Sequence, residues 1–328
     1  MNKIIGFENE FCILLNHLKN HNLSNSLLLT GNKGIGKFSF LTNLIEEYIK
    51  IKVNSSQFKR HISLLNNNSH PNIVILKKEI DEKTKKIKNY INIDQIRKLN
   101  HFSRETSIIE DLPKFILIDS ADDLNLNASN ALLKILEEPK INTFFFLISH
   151  RPSSLLPTIK SRCLKINLPN HDYINFNKIL KFKDASLAEE IIKFLFDITN
   201  GSPGLSNDYD FEEIIGLFKD IVNSIIYFDP QIEVNNRLVE TLSNFDNEKL
   251  NLYLSLIKFI LITFKKINVG INIEDFYLST NILKIVKISN KISIDRIDKK
   301  LEYLINNEND LFTFNLDKKI FMINFFAE

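Results

Sequence analysis

Three groups of residues have types and spacings suited to phosphate chemistry. The first is Gly31-Asn-Lys-Gly34-Ile-Gly36-Lys37. Glycines let successive backbone N–H groups turn inward around phosphate oxygens, a following helix adds positive potential, and a lysine placed like Lys37 reaches the outer phosphates. In such loops the next residue is Ser or Thr, whose hydroxyl binds Mg²⁺. Here it is Phe38, and Ser39 would point about 100° further round a helix, a poor substitute. The second group lies at the ends of two apolar runs. Phe115 to Ile118 ends on Asp119, and Phe144 to Ile148 ends on Ser149. Asp119 suits the Mg²⁺-side carboxylate at a strand tip. Hydrolysis needs a base or water-orienting group beside it, but Ser120 follows, and a hydroxyl takes up no proton near neutral pH. Asp122 and Asp123 are close in sequence, yet the turn after the strand is expected to carry them away. The third group is one arginine between a serine and a cysteine, Ser161-Arg162-Cys163. Each group also has a purely structural alternative: an empty glycine turn, a loop-capping aspartate, a strand-end serine, an arginine on local carbonyls.

The elements that must position these residues are legible as patterns. Ser26 to Thr30 reads as a buried strand running into the glycine loop, and Phe38 to Lys50 as a helix with Phe40, Leu41, Leu44, Ile45 and Tyr48 on one side. Ile73 to Leu76 and Tyr90 to Ile93 read as short strands around a lysine-rich tip, Lys77 to Lys88. That tip carries six lysines against three acids, which describes a solvated loop more often than a DNA contact. Asp94 is expected to cap a helix starting at Gln95. Asn130 to Glu138 reads as a helix stopped by Pro139. Alternating strands and helices with polar strand ends predict an α/β domain with a parallel sheet over 1–168. A small helical unit follows over 169–207, ending near Gly201-Ser-Pro-Gly204. An all-helical region spans 208–328, with Phe211, Ile214, Ile215, Phe218, Ile221, Val222 and Ile225 at helical spacing.

Composition narrows the classes. A chain of 328 residues exceeds one ordinary core. Lys+Arg 42 against Asp+Glu 40 gives no strong overall attraction to nucleic acid. Two distant cysteines, Cys12 and Cys163, exclude a disulfide framework or a cysteine zinc cage and suit a reducing cytoplasm. The most apolar stretch, Leu252 to Phe264, is too short for a membrane span and reads as a buried helix.

Taken together, these motifs resemble the AAA+ clamp-loader ATPase family of bacterial DNA polymerase III. The resemblance is carried by Asn25 to Lys37, His70-Pro71 with the strand after it, Asp94-Gln-Ile-Arg97, Asn130 to Pro139, Ser161-Arg162-Cys163 and Gly201 to Gly204. It covers about residues 1–205 by motif, and the rest by a compatible helical pattern. It implies an AAA+ P-loop domain, a helical lid and an α-helical collar. It also implies partners: gamma/tau- and delta-type subunits in a hetero-pentamer, with the sliding clamp and primer-template DNA met indirectly and no membrane. Localisation would be cytoplasmic, at the bacterial replisome.

Residue by residue, the resemblance makes Arg162 an arginine finger projected into a neighbouring subunit's ATP site. Ser149 stands at the sensor-1 position, and Gly204 stands where an active subunit presents its sensor-2 arginine. Gly31, Gly34, Gly36, Lys37, Asp119 and Ser149 form the chain's own altered nucleotide site. Phe38, Ser120 and Gly204 all depart from the active pattern, so a subunit that does not hydrolyse ATP is expected. ATP or ADP with Mg²⁺ is then held weakly or not at all. The family's four-cysteine zinc module has no counterpart in Asn54 to Asn68, so no zinc or other metal is expected. The competing reading is an active gamma/tau-like motor that tolerates Phe38; a weaker one is another P-loop nucleotide-dependent enzyme.

Overall fold

The computed structural model describes residues 4–81, 85, 87–105, 109, 112–208, 211–271 and 292–328. They divide into two compact units, Met1–Asn175 and Phe176–Glu328.

The first unit is built on five parallel strands: β1 (Ser26–Thr30), β2 (Ile73–Leu76), β3 (Lys114–Ile118), β4 (Thr143–Ser149) and β5 (Leu164–Asn167). Their order across the sheet is β2-β3-β4-β1-β5. Every residue of β1, β3 and β4 is buried. The side-chain period of two splits the apolar runs between two cores. Leu27, Leu29, Phe115, Leu117 and Phe146 meet Leu14, Leu18, Phe40, Leu44, Tyr48 and Leu65 on one face. Those partners come from α1 (Glu8–Lys19), α2 (Lys37–Lys52) and α3 (Ser55–Asn66). Leu28, Ile116, Ile118, Phe145 and Leu147 meet Ile96, Leu99, Leu132, Leu136 and Ile159 on the other. These belong to α4 (Ile93–Arg104), α5 (Leu126–Glu137) and α6 (Pro157–Arg162). The continuous apolar runs are therefore what two-sided burial requires.

Three sequence expectations need correcting. The fourth helix begins at Ile93, not Gln95, and its cap is Asn92, not Asp94. The Asn92 side chain accepts from Gln95 N–H while the Gln95 side chain accepts from Asn92 N–H, a reciprocal capping box. Asp94 instead pairs with Arg97 at 2.9 Å on the exposed helix surface. Tyr90 to Ile93 forms no strand: Ile91 makes one parallel bridge to Leu124, and the helix starts two residues later. β5 was not anticipated, because Leu164–Asn167 has no apolar run and is mostly exposed. Pairing with β1, not its own pattern, makes it a strand. In the lysine-rich tip, Ile80 bridges Ile87 antiparallel, Lys88 pairs with Glu79 and Lys78 with Asp123; residues 82–84 and 86 lie outside the described residues.

Helix α7 (Tyr173–Lys183) straddles the division between the units. Among the described residues the second unit also holds helices α8 (Glu189–Thr199), α9 (Phe211–Ile226), α10 (Glu233–Asn244), α11 (Asn247–Asn268), α12 (Ile294–Thr313) and α13 (Lys318–Ala327). Leu252 to Phe264 lies within α11 and contributes Leu254, Leu256, Ile257, Ile260, Leu261 and Phe264 to the core. No described helix is long and apolar enough to cross a membrane.

Lys300, on α12, is fully buried. Its Nζ donates to the carbonyls of Phe325 and Phe326 at 2.9 and 2.8 Å, closing the last turn of α13. Burial, with the Arg296 charge adding to it and Glu328 opposing it, lowers the Lys300 pKa to about 7. Between pH 7 and the ordinary lysine value the unfolded chain then binds the extra proton, so stability rises with pH across that window. Lys300→Met is expected to flatten this rise in urea-unfolding stability measured from pH 7 to 10. An unchanged slope in the variant would remove Lys300 as its source.

Candidate functional site

Parallel strands deliver their C-terminal ends to one edge. Thr30 lies opposite Ser149 in the β1–β4 register, and Ile118 opposite Leu147 in β3–β4. The same edge therefore receives the glycine loop leaving β1, Asp119 leaving β3, and Ser149 ending β4.

The loop has the backbone that its glycines permit. Gly34 and Gly36 have φ of 87° and 95°, and α2 starts directly at Lys37. A Cβ on Gly31 would come within 2.4 Å of the Leu168 carbonyl oxygen. Lys37 is buried, with Nζ donating to the carbonyls of Gly31 and Asn32 at 2.6 Å each. Burial lowers its pKa to about 8 against the opposing charges of Asp122 and Asp119. The lysine thus holds the loop's own carbonyls. His171, which sequence reasoning missed, supports the loop from behind: its Nε2–H donates to Ile35 O at 3.0 Å, and its ring lies 4.5 Å from Phe7. A lone histidine outside any motif gives no signal of such a role.

Asp119 is half-buried, which raises its pKa; Lys77 opposes that most strongly among the charges, ahead of Lys37. The expectation that Asp122 turns away is wrong. A short 3-10 turn over Ala121–Asp123, capped by Ser120, folds it back against the end of β4. One Asp122 oxygen accepts from Ser149 Oγ at 2.7 Å and Ser154 Oγ at 3.4 Å. The other accepts from His150 N–H at 2.5 Å, Ser120 Oγ at 2.9 Å and Arg151 N–H at 3.3 Å. Burial disfavours its charge, but the hydrogen bonds, led by that of Ser149, outweigh burial and hold the carboxyl below its ordinary value. Asp122 is therefore an anchored anion with few lone pairs left for proton transfer. Ser149 is fully buried and already committed to it. His150 is driven to about 4 by burial and by the Lys37 charge, so it is neutral near pH 7.

Mg²⁺ fits these residues poorly. The ion takes near-octahedral oxygen ligands. Asp119 supplies a carboxylate, but Phe38 supplies no oxygen, and Lys77 Nζ lies 5.0 Å from the Phe38 ring centre. Among the described residues no cluster of His, Cys, Asp and Glu is arranged to hold a metal ion.

Arg162 makes its contacts elsewhere. At the end of α6 its guanidinium bonds Glu137 of α5 at 2.6 Å and the Thr158 carbonyl at 3.0 Å, on the exposed surface. Cys163 beside it is buried, which pushes its thiol to about 11. Gly204 follows α8 in the second unit.

Residues 8–172 match the family model described as "DNA polymerase III, delta subunit". The chain is similar to DNA polymerase III subunit delta' of Pseudomonas aeruginosa, 44% identical over 106 residues (32% of this chain, 30% of that protein). It is 30% identical over 153 residues to subunit delta' of Bacillus subtilis (46% of this chain, 44% of that protein). It is 28% identical over 207 residues to subunit gamma of Buchnera aphidicola (61% and 54%). The matches thus span about a third to a half of these relatives' lengths.

The arrangement around Asp122 sets an expected energetic contrast. Asp122→Ala leaves buried donors on Ser149 and His150 unpaired and is expected to destabilise the chain by about 2–4 kcal/mol. Asp123→Ala removes only a partly exposed pair with Lys78 and should cost about 1 kcal/mol or less. Urea unfolding of both variants checks this, and equal losses would contradict the anchoring role.

Proposed function

Because the chain belongs to the DNA polymerase III delta-subunit family, we propose that it acts as a delta-prime-type clamp-loader subunit. In this reading it is a largely non-hydrolysing AAA+ member of the loader that supplies Arg162 in trans to a neighbour's ATP. The observation that carries the reading is the contrast between the two halves of the site. The chain's own nucleotide edge has Phe38 in place of a hydroxyl, a lysine engaged by its own loop, and its best-placed acid, Asp122, occupied by five donors. Arg162 is exposed, at the end of a short helix, and held by a single carboxylate.

The Arg162–Glu137 pair suits a group that must change partners. An exposed pair of this kind contributes about 1 kcal/mol or less, so a phosphate chain carrying several negative charges can displace Glu137. Until then Glu137 and the Thr158 carbonyl hold the guanidinium in place. Its planar fork then bonds γ-phosphate oxygens and stabilises charge as the terminal bond breaks. The partners proposed are gamma/tau- and delta-type subunits in a hetero-pentamer, through which the clamp and primer-template DNA are met. The second reading is an active motor, favoured by retention of Gly31, Gly34, Gly36, Lys37 and Asp119 and by the likeness to a gamma subunit.

Two measurements separate these readings. In the assembled loader, Arg162→Ala is expected to slow clamp- and DNA-stimulated ATP hydrolysis at the adjoining site by roughly a thousandfold, and an unchanged rate would overturn the trans role. The purified chain is expected to show no turnover that Lys37→Ala removes; a real rate lost in that variant would establish the motor instead.

A further inference from the structure

The excursion after β2 places a cation at the position that the glycine loop leaves without a metal ligand. Leu76 pairs with Ile118, and Asp119 N–H donates to the Leu76 carbonyl at 2.8 Å, so the next residue, Lys77, stands beside Asp119 across the β2–β3 pair. Gln95 fixes that backbone: it closes the capping box of α4 and donates through Nε2 to the Lys77 carbonyl at 3.0 Å. From this anchored position the side chain reaches the loop, with Nζ 5.0 Å from the centre of the Phe38 ring. Phe38 is the second residue of α2, directly after Lys37. In a metal-dependent loop this position carries the hydroxyl that binds Mg²⁺, and the neighbouring strand tip carries its carboxylate. Here the hydroxyl position presents an aromatic ring to an ammonium, a favourable cation–π arrangement, and the carboxylate feels that ammonium more than any other charge.

We propose that Lys77 takes the place of the divalent cation at this loop, and that the loop binds the phosphate chain of a nucleoside triphosphate as a metal-free anion. Three features favour this pairing. The Lys77 ammonium, over the Phe38 ring and acting on Asp119, repels a dication from that carboxylate. Phe38 offers the ion no oxygen ligand. The free triphosphate carries two more negative charges than its Mg²⁺ complex, and Lys77 joins the N–H groups at the start of α2 in meeting them. Lys77 is exposed, so its Nζ is open to an incoming phosphate oxygen. The inference rests on Gly31 to Lys37 being a nucleotide loop and does not depend on Arg162, whose effect is read in the neighbour's hydrolysis.

Calorimetric titration of the full chain with ATP, in excess EDTA and then in Mg²⁺, tests the proposal, with inorganic tripolyphosphate as a second probe. ATP and tripolyphosphate are expected to bind in EDTA, and ATP to bind more weakly once Mg²⁺ is added. Lys77→Ala is expected to weaken binding in EDTA by about tenfold or more at an unchanged melting temperature. The double variant Lys77→Ala, Phe38→Thr restores a ligand and removes the competing charge. It should bind ATP better with Mg²⁺ than without, and should hold Mn²⁺ detectably by electron paramagnetic resonance. Tighter binding of the unaltered chain in Mg²⁺, no binding in either condition, or unchanged affinity on Lys77→Ala would each overturn the proposal. Loss of the Arg162 effect in the assembled loader with metal-free binding intact would overturn the trans role alone.

Discussion

Burial of β1, β3 and β4 on both faces is the constraint from which the first unit follows. A parallel sheet covered by helices on each side has no room for polar side chains along its length. They accumulate where the strands end, and parallel order sends those ends to one edge. The register sets Thr30 against Ser149, and Ile118, the residue before Asp119, against Leu147. Asp122 converts this neighbourhood into a fixed arrangement. By accepting from Ser120 on its own turn and from Ser149, His150, Arg151 and Ser154 beyond β4, it ties two strand ends together with one carboxylate.

Several cations in this chain work on backbone carbonyls. Lys37 holds the carbonyls of its own loop. Lys114, at the start of β3, donates to the Phe102 and Glu105 carbonyls at the end of α4. In the second unit Lys300 closes α13, Arg296 donates to the Ile226 carbonyl at the end of α9, and Lys318 to the Phe245 carbonyl after α10. The last carbonyls of a helix lack intrahelical partners and sit at the negative end of its dipole, so a donor cation there satisfies both needs. Arg162 and Lys77 are different. The first pairs with a carboxylate on the exposed surface and the second faces an aromatic ring from solvent. Neither is sealed into a helix end, which leaves both able to meet an external anion.

Much of the fold was legible in the residues because burial leaves a periodic trace. Ser26 to Thr30 is a strand over the expected range, the helix over Phe38 to Lys50 extends by one residue at its start and two at its end, and Leu252 to Phe264 lies inside α11. The errors fall where a particular hydrogen-bond or strand partner, rather than the apolar pattern, decides the element. Gln95 caps α4 from inside the helix, because Asn92 two residues before the expected cap completes the reciprocal bond. β5 is a strand only because β1 offers a free edge to it. The glycine loop and the altered positions Phe38 and Ser120 were readable as residue types, since phosphate chemistry demands specific atoms at specific spacings.

The local chain thus settled which residue types stand where phosphate chemistry would need them and which atoms they lack. Backbone freedom at Gly34 and Gly36, the absent hydroxyl at Phe38 and the apolar runs are properties of short segments. Which side chains meet was decided by packing. A 3-10 turn returns Asp122 to Ser149 across 27 residues, Glu137 receives Arg162 across 25, and the β2–β3 register sets Lys77 beside Asp119. Such meetings depend on strand register and helix placement, which arise from burial of the whole unit, and no spacing within a single segment encodes them.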